Sequence, residues 1–354
     1  MNDDRPVKTG EAKNEEGEHV TRRRKIWAAG AAAVLALAGG ALVWGIGRGT
    51  GPGDALADRC GGSLAVDEAR KFFDGAELDM SGHVAEWVGH RTEWCSVRAR
   101  GDEKSPELRV QIRPAAAHRS SGAAEQPGAA PIGHGWNGSF IVRGGPEAAV
   151  LVDCAPLAGQ GLLVLTRAPE FGREFSAAQV TQVARLATET ARRAAERFGC
   201  EGELGERPTT VDRPTGTTRP VAEATGTCRG AVSRDVAEAL RATAVREGEA
   251  GRTLTEECVV ERGEHGDLVL TAYYGPSSEQ ERYLDRRYPG SVTGSRTRSH
   301  PCPGALGTGY FKLTPPKGED GEPTSVDEAT SEAMTDVLAA FASASGARHG
   351  CQVS

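Results

Sequence analysis

The sequence lacks the short motifs that mark the common enzyme classes. It contains no G-x-x-x-x-G-K-[ST] phosphate loop, no G-x-S-x-G nucleophile turn, no S-x-x-K acylation motif and no H-E-x-x-H zinc motif. His83 and His90 are seven residues apart and would share one face of a helix. Because no zinc motif is present, we interpret both as ordinary histidines that are either hydrogen-bonded within the fold or exposed to solvent. The sequence therefore predicts no catalytic residue and no cofactor.

Closely spaced cysteines and an excess of basic charge are also absent. The nearest two of the eight cysteines, Cys200 and Cys228, are 28 residues apart, whereas structural zinc sites use pairs separated by two to four residues. The 42 lysines and arginines oppose 49 acidic residues, which gives a formal net charge of −7. A nucleic-acid-binding protein needs a basic face and a high pI, so the composition predicts neither a metal site nor a nucleic-acid partner.

One long apolar segment is present, Ile26–Gly47, with 22 uncharged residues. As a helix it would be about 33 Å long, enough to cross the hydrocarbon core of a membrane. Four basic residues precede it, at 22–25, which by the positive-inside rule places 1–25 in the cytoplasm as a disordered segment. We expect a single-pass anchor with an extracellular C-terminal part. The alternative is a signal peptide cleaved after Ala57, which would release a secreted protein.

All eight cysteines lie C-terminal to the apolar segment and fall into two sets of four. An even number of cysteines outside the membrane predicts disulfide bonds. The first set is Cys60, Cys95, Cys154 and Cys200, and the second is Cys228, Cys258, Cys302 and Cys351.

The surroundings of the cysteines indicate a tandem duplication. In both sets the second cysteine begins an extended segment and the fourth follows a glycine at the end of a helix-like stretch. Those closing helices begin with the capping-box patterns Ser176-x-x-Gln179 and Ser325-x-x-Glu328. The short apolar runs between the helices, bounded by Gly and Pro, read as strands. Each repeat is therefore predicted to be α+β, a disulfide-stapled helix–antiparallel sheet–helix module.

The domain boundaries follow from composition and from the cysteines. After the transmembrane helix we predict a glycine-rich stalk, two repeats of ordinary domain size and, between them, a segment rich in Pro, Thr and Gly that has little to bury. These regions are the stalk (48–58), repeat one (59–200), the linker (201–227) and repeat two (228–354).

Confining the disulfides to the repeats leaves nine of the 105 possible pairings. If the strand after Cys154 runs away from it and the closing helix packs back along that strand, Cys154 and Cys200 finish at the same end of the module. The same argument pairs Cys302 with Cys351. We therefore predict that the third cysteine pairs with the fourth and the first with the second in each repeat.

The order of cysteines, helices and strands at 60–200 and 228–351 resembles, in outline, actinobacterial envelope lipoproteins and the extracellular sensor domains of some receptor kinases. The chain departs from that pattern in lacking a lipobox and in placing the fourth cysteine after the helix. The resemblance implies an envelope location and a binding or accessory role, and it transfers no functional residue.

These observations predict a non-catalytic, membrane-anchored binding or accessory protein of the cell envelope, whose partner is an envelope protein or a ligand. A cytoplasmic segment of 25 residues is too short for a folded output domain, so any signal would be relayed by a partner. The alternative is a secreted hydrolase of cell-wall or polysaccharide substrates, because a pair of catalytic carboxylates meets only in space and leaves no sequence motif.

Overall fold

The computed structural model describes residues 58, 60–87, 89–116, 122–169, 174–211, 213–289, 294–316 and 326–353. The predicted cytoplasmic segment, the predicted transmembrane helix Ile26–Gly47 and nearly all of the stalk lie outside these residues. None of the helices in the described part of the chain combines the length and the apolarity needed to span a membrane.

The described residues of repeat one form two α-helices and seven strands. The helices are α1 (Val66–Phe72) and α2 (Ala177–Phe198). The strands form one antiparallel sheet, sheet 1, in the order β1-β2-β3-β7-β6-β5-β4. Their bounds are β1 (Leu78–Trp87), β2 (His90–Ala99), β3 (Leu108–Pro114), β4 (Ala130–Pro131), β5 (Asn137–Ile141), β6 (Glu147–Asp153) and β7 (Gly161–Arg167).

The described residues of repeat two form three α-helices and, with one strand from the linker, a set of six strands. The helices are α3 (Arg234–Leu240), α4 (Pro276–Arg287) and α5 (Glu328–Arg348). The strands form a second antiparallel sheet, sheet 2, in the order β8-β9-β10-β11-β13-β12. Their bounds are β8 (Thr217–Arg219), β9 (Ala244–Glu247), β10 (Thr255–Glu261), β11 (Leu268–Tyr273), β12 (Arg296–Pro301) and β13 (Thr308–Thr314).

Five strands of each sheet follow the same order. In sheet 1 they are β1-β2-β3-β7-β6, and in sheet 2 they are β9-β10-β11-β13-β12. In both repeats a short helix precedes the first of these strands and a long helix follows the last. The α+β class and the antiparallel sheets predicted from the sequence are confirmed, and the two cysteine sets belong to two copies of one topology.

The helix caps agree with the sequence in repeat one and differ from it in repeat two. Ser176 caps α2, and its side chain and that of Gln179 make both hydrogen bonds of the predicted capping box. Helix α5 begins at Glu328, and its N-cap is Asp327, whose carboxylate accepts the N–H of Thr330 at 2.7 Å. The prediction that this helix begins at Ser325 is therefore wrong, because aspartate competes well with serine as an N-cap residue.

Helix α4 has no counterpart in repeat one. It begins at Pro276, which suits the first helical position because proline has a fixed φ and no N–H to leave unpaired. Since α4 follows β11 after only two residues, the proline marks a helix start as well as the end of the strand that the sequence suggested. The helix lies on the face of sheet 2 opposite α5, where Lys312 contacts Glu281 and Asp285 at 2.8 and 2.7 Å.

The linker is bound to repeat one along its first part. The indole N–H of Trp136 donates to the carbonyl oxygen of Glu206 at 2.7 Å, and Arg185 donates to that of Pro208 at the same distance. Further along, Thr217–Arg219 joins the edge of sheet 2 as β8. Although the composition gives it little apolar surface, the linker finds partners for its backbone carbonyl groups on the repeats that flank it.

Two apolar clusters hold the described chain together. The first lies inside repeat one, between α1, α2 and one face of sheet 1. The second contains the core of repeat two and also Leu151, Leu163 and Leu165 from the other face of sheet 1. The repeats thus share an apolar core, and Gly51–Ser354 is one compact unit.

Candidate functional site

The eight cysteines that the sequence singled out are all joined in disulfides, and no cysteine of the described chain is free. The pairs are Cys60–Cys95, Cys154–Cys200, Cys228–Cys258 and Cys302–Cys351. The predicted first-to-second and third-to-fourth pairing is confirmed in both repeats. The bonds span 30 to 49 residues, and each is expected to stabilise the fold by roughly 3–4 kcal/mol through loss of unfolded-chain entropy. The cysteines are structural and do not form the functional site.

A cleft with a volume of about 820 Å³ lies between the repeats. One wall comes from 127–130 and 141–143 of repeat one, and the other from 246–249 and Glu257 of repeat two. Linker residues 213–216 close it on a third side. A ligand in this cleft would contact both repeats and the linker at once.

Charged side chains of both signs line the cleft. Arg143 and Arg213 are exposed, and neither guanidinium has a hydrogen-bond or ion-pair partner among the described residues. The carboxylate of Glu257 also lines the cleft. A smaller cleft of about 380 Å³ adjoins the first through shared residues 247–249 and Thr215, and it adds the exposed Arg229. The surface can therefore donate several hydrogen bonds to an anionic group.

The wall of the cleft is fixed by the buried Glu247. Its two carboxylate oxygens accept the backbone N–H groups of Thr225 at 2.9 Å and of Cys228 at 3.1 Å, and Arg219 lies 3.5 Å away. A methyl group on Gly226 would come within 2.1 Å of the carbonyl oxygen of Gly248, so only glycine fits there. The turn that leads into repeat two is thus held against β9, and the wall is built before any ligand arrives.

A buried polar cluster beside α5 contains the residue types of a hydrolase triad without its geometry. The hydroxyl of Ser345 donates to Glu256 at 2.6 Å and is hydrogen-bonded to Tyr274 at 2.6 Å. Both ring nitrogens of His349 lie near backbone carbonyl oxygens, those of Ser345 at 3.0 Å and Thr253 at 2.9 Å, and neither faces the serine hydroxyl. The serine is fully buried, so this cluster attaches α5 to sheet 2 and offers no activated nucleophile.

A second polar cluster lies between α4 and sheet 2. Burial opposes the charge of Lys312, but its hydrogen bonds to Asp285 and Glu281 outweigh burial and raise the pKa of the lysine. Burial, together with the hydrogen bond to Asp285, raises the pKa of Tyr310 well above its ordinary value. The lysine stays protonated and the phenol stays neutral, so neither acts as a base at neutral pH. The cluster holds α4 in place.

The histidines noted in the sequence do not lie on a helix. His83 is on β1 and His90 on β2, and both side chains are on the same face of the β1–β2 hairpin as Trp87 and Trp94. The two histidines thus share a face of a sheet and not of a helix, and His83 is solvent-exposed, as expected from the sequence. Within each strand the His and the Trp are four positions apart, an even spacing that places both side chains on one face of a strand. This spacing was the sequence signal that could have revealed the aromatic face.

The described residues also offer no candidate metal site. Among the described residues, no group of three or more His, Cys, Asp or Glu side chains is arranged to hold a metal ion. In the part of the chain that the structure describes, the inter-repeat cleft and the aromatic face are candidate surfaces for recognition, and sequence reasoning missed both. Comparison of the chain with protein-family models, with curated proteins and with solved structures finds no match in any of the three.

Proposed function

We propose that the protein is an extracytoplasmic binding or accessory protein that acts without catalysis and is anchored to the membrane by Ile26–Gly47. Its binding site is the inter-repeat cleft, and its ligand is a polar molecule, or a segment of an envelope protein, that carries an anionic group. The observation that supports this proposal best is the composition of the cleft, which draws its lining from repeat one, repeat two and the linker.

The chemistry of the cleft supports recognition of an anion. Arg143 and Arg213 carry exposed guanidinium groups without partners among the described residues, and such groups bind carboxylates or phosphates through paired hydrogen bonds. The wall held by Glu247 reduces the ordering that binding would require. Four disulfides suit a protein that works outside the cytoplasm. In the anchored form, any signal crosses the membrane through a partner.

Photo-cross-linking in living cells tests the proposal. A photoreactive amino acid replaces Thr215, an exposed residue that lines both clefts, in the full-length chain. The matched control carries the same amino acid at Arg234, an exposed residue of α3 outside the clefts. We expect a discrete adduct from position 215 and none from position 234, identified by mass spectrometry.

Arginine variants test whether the cross-linked partner is bound in the cleft. Replacing Arg143 and Arg213 by alanine together should lower the yield of the adduct at least about tenfold without changing the amount of protein at the cell surface. The proposal is contradicted if position 215 gives no adduct, if positions 215 and 234 give the same adducts, or if the arginine variant cross-links as the parent does.

A further inference from the structure

The β1–β2 hairpin displays four aromatic and imidazole rings on one face of sheet 1. His83 lies opposite Trp94, and Trp87 lies opposite His90, in the antiparallel register. The rings of His83 and Trp94 are nearly parallel, with 9° between their planes and 6.3 Å between their centres. The ring of Trp87 stands at 87° to that of Trp94, again with centres 6.3 Å apart. His83 and Trp94 form a flat surface and Trp87 stands upright beside it; we call the surface made by these residues and His90 the aromatic corner.

The aromatic corner lies where repeat two no longer covers sheet 1. On this face, the apolar residues of β6 and β7, among them Leu151 and Leu163, pack in the core shared with repeat two. The hairpin is at the other side of the sheet, with β1 at its edge. There His83 is exposed, and Trp87 and Trp94 remain partly exposed. Large aromatic side chains that stay partly exposed and adjacent on a sheet face indicate an interaction surface.

The base of the aromatic corner is rigid. The disulfide Cys60–Cys95 fixes β2 one residue from Trp94, and Arg197 of α2 donates to Glu93 at 2.6 Å on the other side of that tryptophan. The guanidinium of the buried Arg113 packs over the Trp87 ring, 5.0 Å from its centre, in a cation–π contact. The rings are therefore held in place before a ligand binds, which reduces the entropy lost on binding.

The charged groups of this face neutralise one another. Arg98 and Arg109 both contact Glu107, at 3.1 and 2.9 Å. Deeper in the sheet, Arg113 pairs with Glu125 at 2.9 Å, both fully buried. Asp79 lies opposite Arg98 in the β1–β2 register, so the three arginines of this face are matched by three carboxylates. The surface therefore has no excess charge to attract a polyanion such as nucleic acid or an acidic lipid. Charge complementarity thus favours a ligand without net charge.

A neutral pyranose chain has the chemistry that complements this surface. One side of each sugar ring is lined by C–H groups, which pack on an indole ring, and its rim carries hydroxyl groups, which bond planar polar side chains. The rings of His83 and Trp94 and the upright ring of Trp87 supply the apolar contact, and the exposed imidazole of His83 can bond the hydroxyl groups. We infer that the aromatic corner binds a neutral polysaccharide. This site is separate from the inter-repeat cleft and does not depend on the function proposed there.

A glycan array with the full-length chain tests the inference. The probes are neutral oligosaccharides of glucose, mannose, galactose and N-acetylglucosamine, with uronic-acid and sulfated oligosaccharides printed beside them. We expect binding to at least one neutral oligosaccharide and weaker binding to its acidic analogue. Binding to no neutral oligosaccharide, or to the acidic ones alone, would overturn the inference.

Variants of the hairpin assign that binding to the aromatic corner. Trp94→Ala should weaken binding of the best neutral oligosaccharide at least about tenfold in calorimetry. Because a partly buried tryptophan contributes to folding, the exposed His83→Ala is the second variant, and we expect a loss of about threefold with an unchanged melting temperature. The control is Val84→Ala, a residue 49% exposed on the opposite face of the same strand. Equal losses in V84A and H83A, or full binding by W94A, would overturn the inference.

A cleft variant separates this inference from the proposed function. The Arg143→Ala/Arg213→Ala double variant should bind the neutral oligosaccharide with the affinity of the parent chain. If the arginine variant loses glycan binding and the hairpin variants keep it, the sugar site is the cleft and the aromatic corner is not a glycan site.

Discussion

At the scale of single residues, two glutamates on the same face of sheet 1 have opposite effects on stability. Glu147 is buried, and this burial raises the pKa of its carboxyl group above the ordinary value of 4.5. Burial also opposes ionisation of Glu107, but hydrogen bonds from Ser96, Arg109 and Arg98 outweigh it and lower the pKa to about 2. The direction of the pKa shift of these carboxyl groups therefore depends on how completely arginine and hydroxyl groups surround them.

Replacing Glu147 by glutamine is expected to stabilise the protein at neutral pH. Because its pKa is raised in the folded state, the stability that its protonated form contributes is present below pH 4.5 and is lost as the pH rises through the raised value. The amide oxygen of glutamine can still accept the N–H of Ala124, which now donates at 2.8 Å. Urea unfolding should show a higher midpoint for E147Q at pH 7, and the difference should disappear below pH 4.5.

Glu107→Gln is the matched control with the opposite sign. The stability contributed by its ionised form is present above pH 4.5 and is lost as the pH falls towards 2. E107Q should therefore unfold at a lower urea concentration than the parent chain at pH 7. A shift of both midpoints in the same direction at pH 7 would contradict the assignment of the two environments.

At the scale of elements, the closing helices depend on side chains that bind their first backbone N–H groups. Helix α2 uses Ser176 and Gln179, and α5 uses Asp327. The N–H of Thr330 and its side chain, both hydrogen-bonded to Asp327, lower the pKa of that carboxyl group. Both helices end beside the fourth cysteine of their repeat, so a disulfide holds one end and a cap defines the other.

Cap substitutions distinguish Asp327 from Ser325 as the start of α5. Asp327→Ala should lower the melting temperature, because the N–H of Thr330 loses its acceptor, whereas Ser325→Ala should leave it unchanged. Ser176→Ala provides the reference from repeat one and should cost about 1 kcal/mol. If S325A destabilised the protein as much as D327A, the helix would begin where the sequence alone predicts.

At the scale of the whole molecule, the second face of sheet 1 is an interface. Leu151 lies against Gly275, where a methyl group added to the glycine would come within 2.8 Å of the leucine side chain. Backbone and side-chain hydrogen bonds reinforce this apolar contact, such as that from the N–H of Leu254 to the hydroxyl of Ser139 at 2.7 Å. Because the core is continuous, we expect the repeats to unfold together.

Hydrogen exchange in urea measures this cooperativity. The amides of β6 and β7 in repeat one should lose protection at the same urea concentration as those of β10 and β11 in repeat two. Leu151→Ala should lower that concentration for both sets, with a cost of about 2–5 kcal/mol. Loss of protection in repeat two while β6 and β7 remain protected would show two independent domains.

Sequence patterns predicted the features that depend on short-range chemistry or on duplication. The capping box at Ser176 is a local pattern, and the disulfide pairing followed from the direction of one strand and one helix in each repeat. Helix α4 was not predicted, because Pro276 closes a strand and opens a helix at nearly the same point. The N-cap at Asp327 was missed because Ser325 matched the serine of repeat one.

The recognition surfaces could be predicted less well than the fold. The cleft joins 127–143, 213–216 and 246–257, which are brought together only because sheet 1 has a second apolar face. No local pattern in the sequence reports how the repeats dock. The aromatic corner was within reach, because His83 and Trp87, like His90 and Trp94, are four positions apart, a spacing that shares one face of a strand as well as one face of a helix.

The linker has one more property that follows from its position beside the cleft. Its three arginines, Arg207, Arg213 and Arg219, are each followed by proline. Proteases that cleave after arginine cut such bonds poorly, because the proline ring removes the N–H and fixes the backbone. The four disulfides suit an environment outside the cytoplasm, where exposed chain meets proteases. There the segment that closes the cleft can keep its cationic side chains and still resist cleavage after arginine.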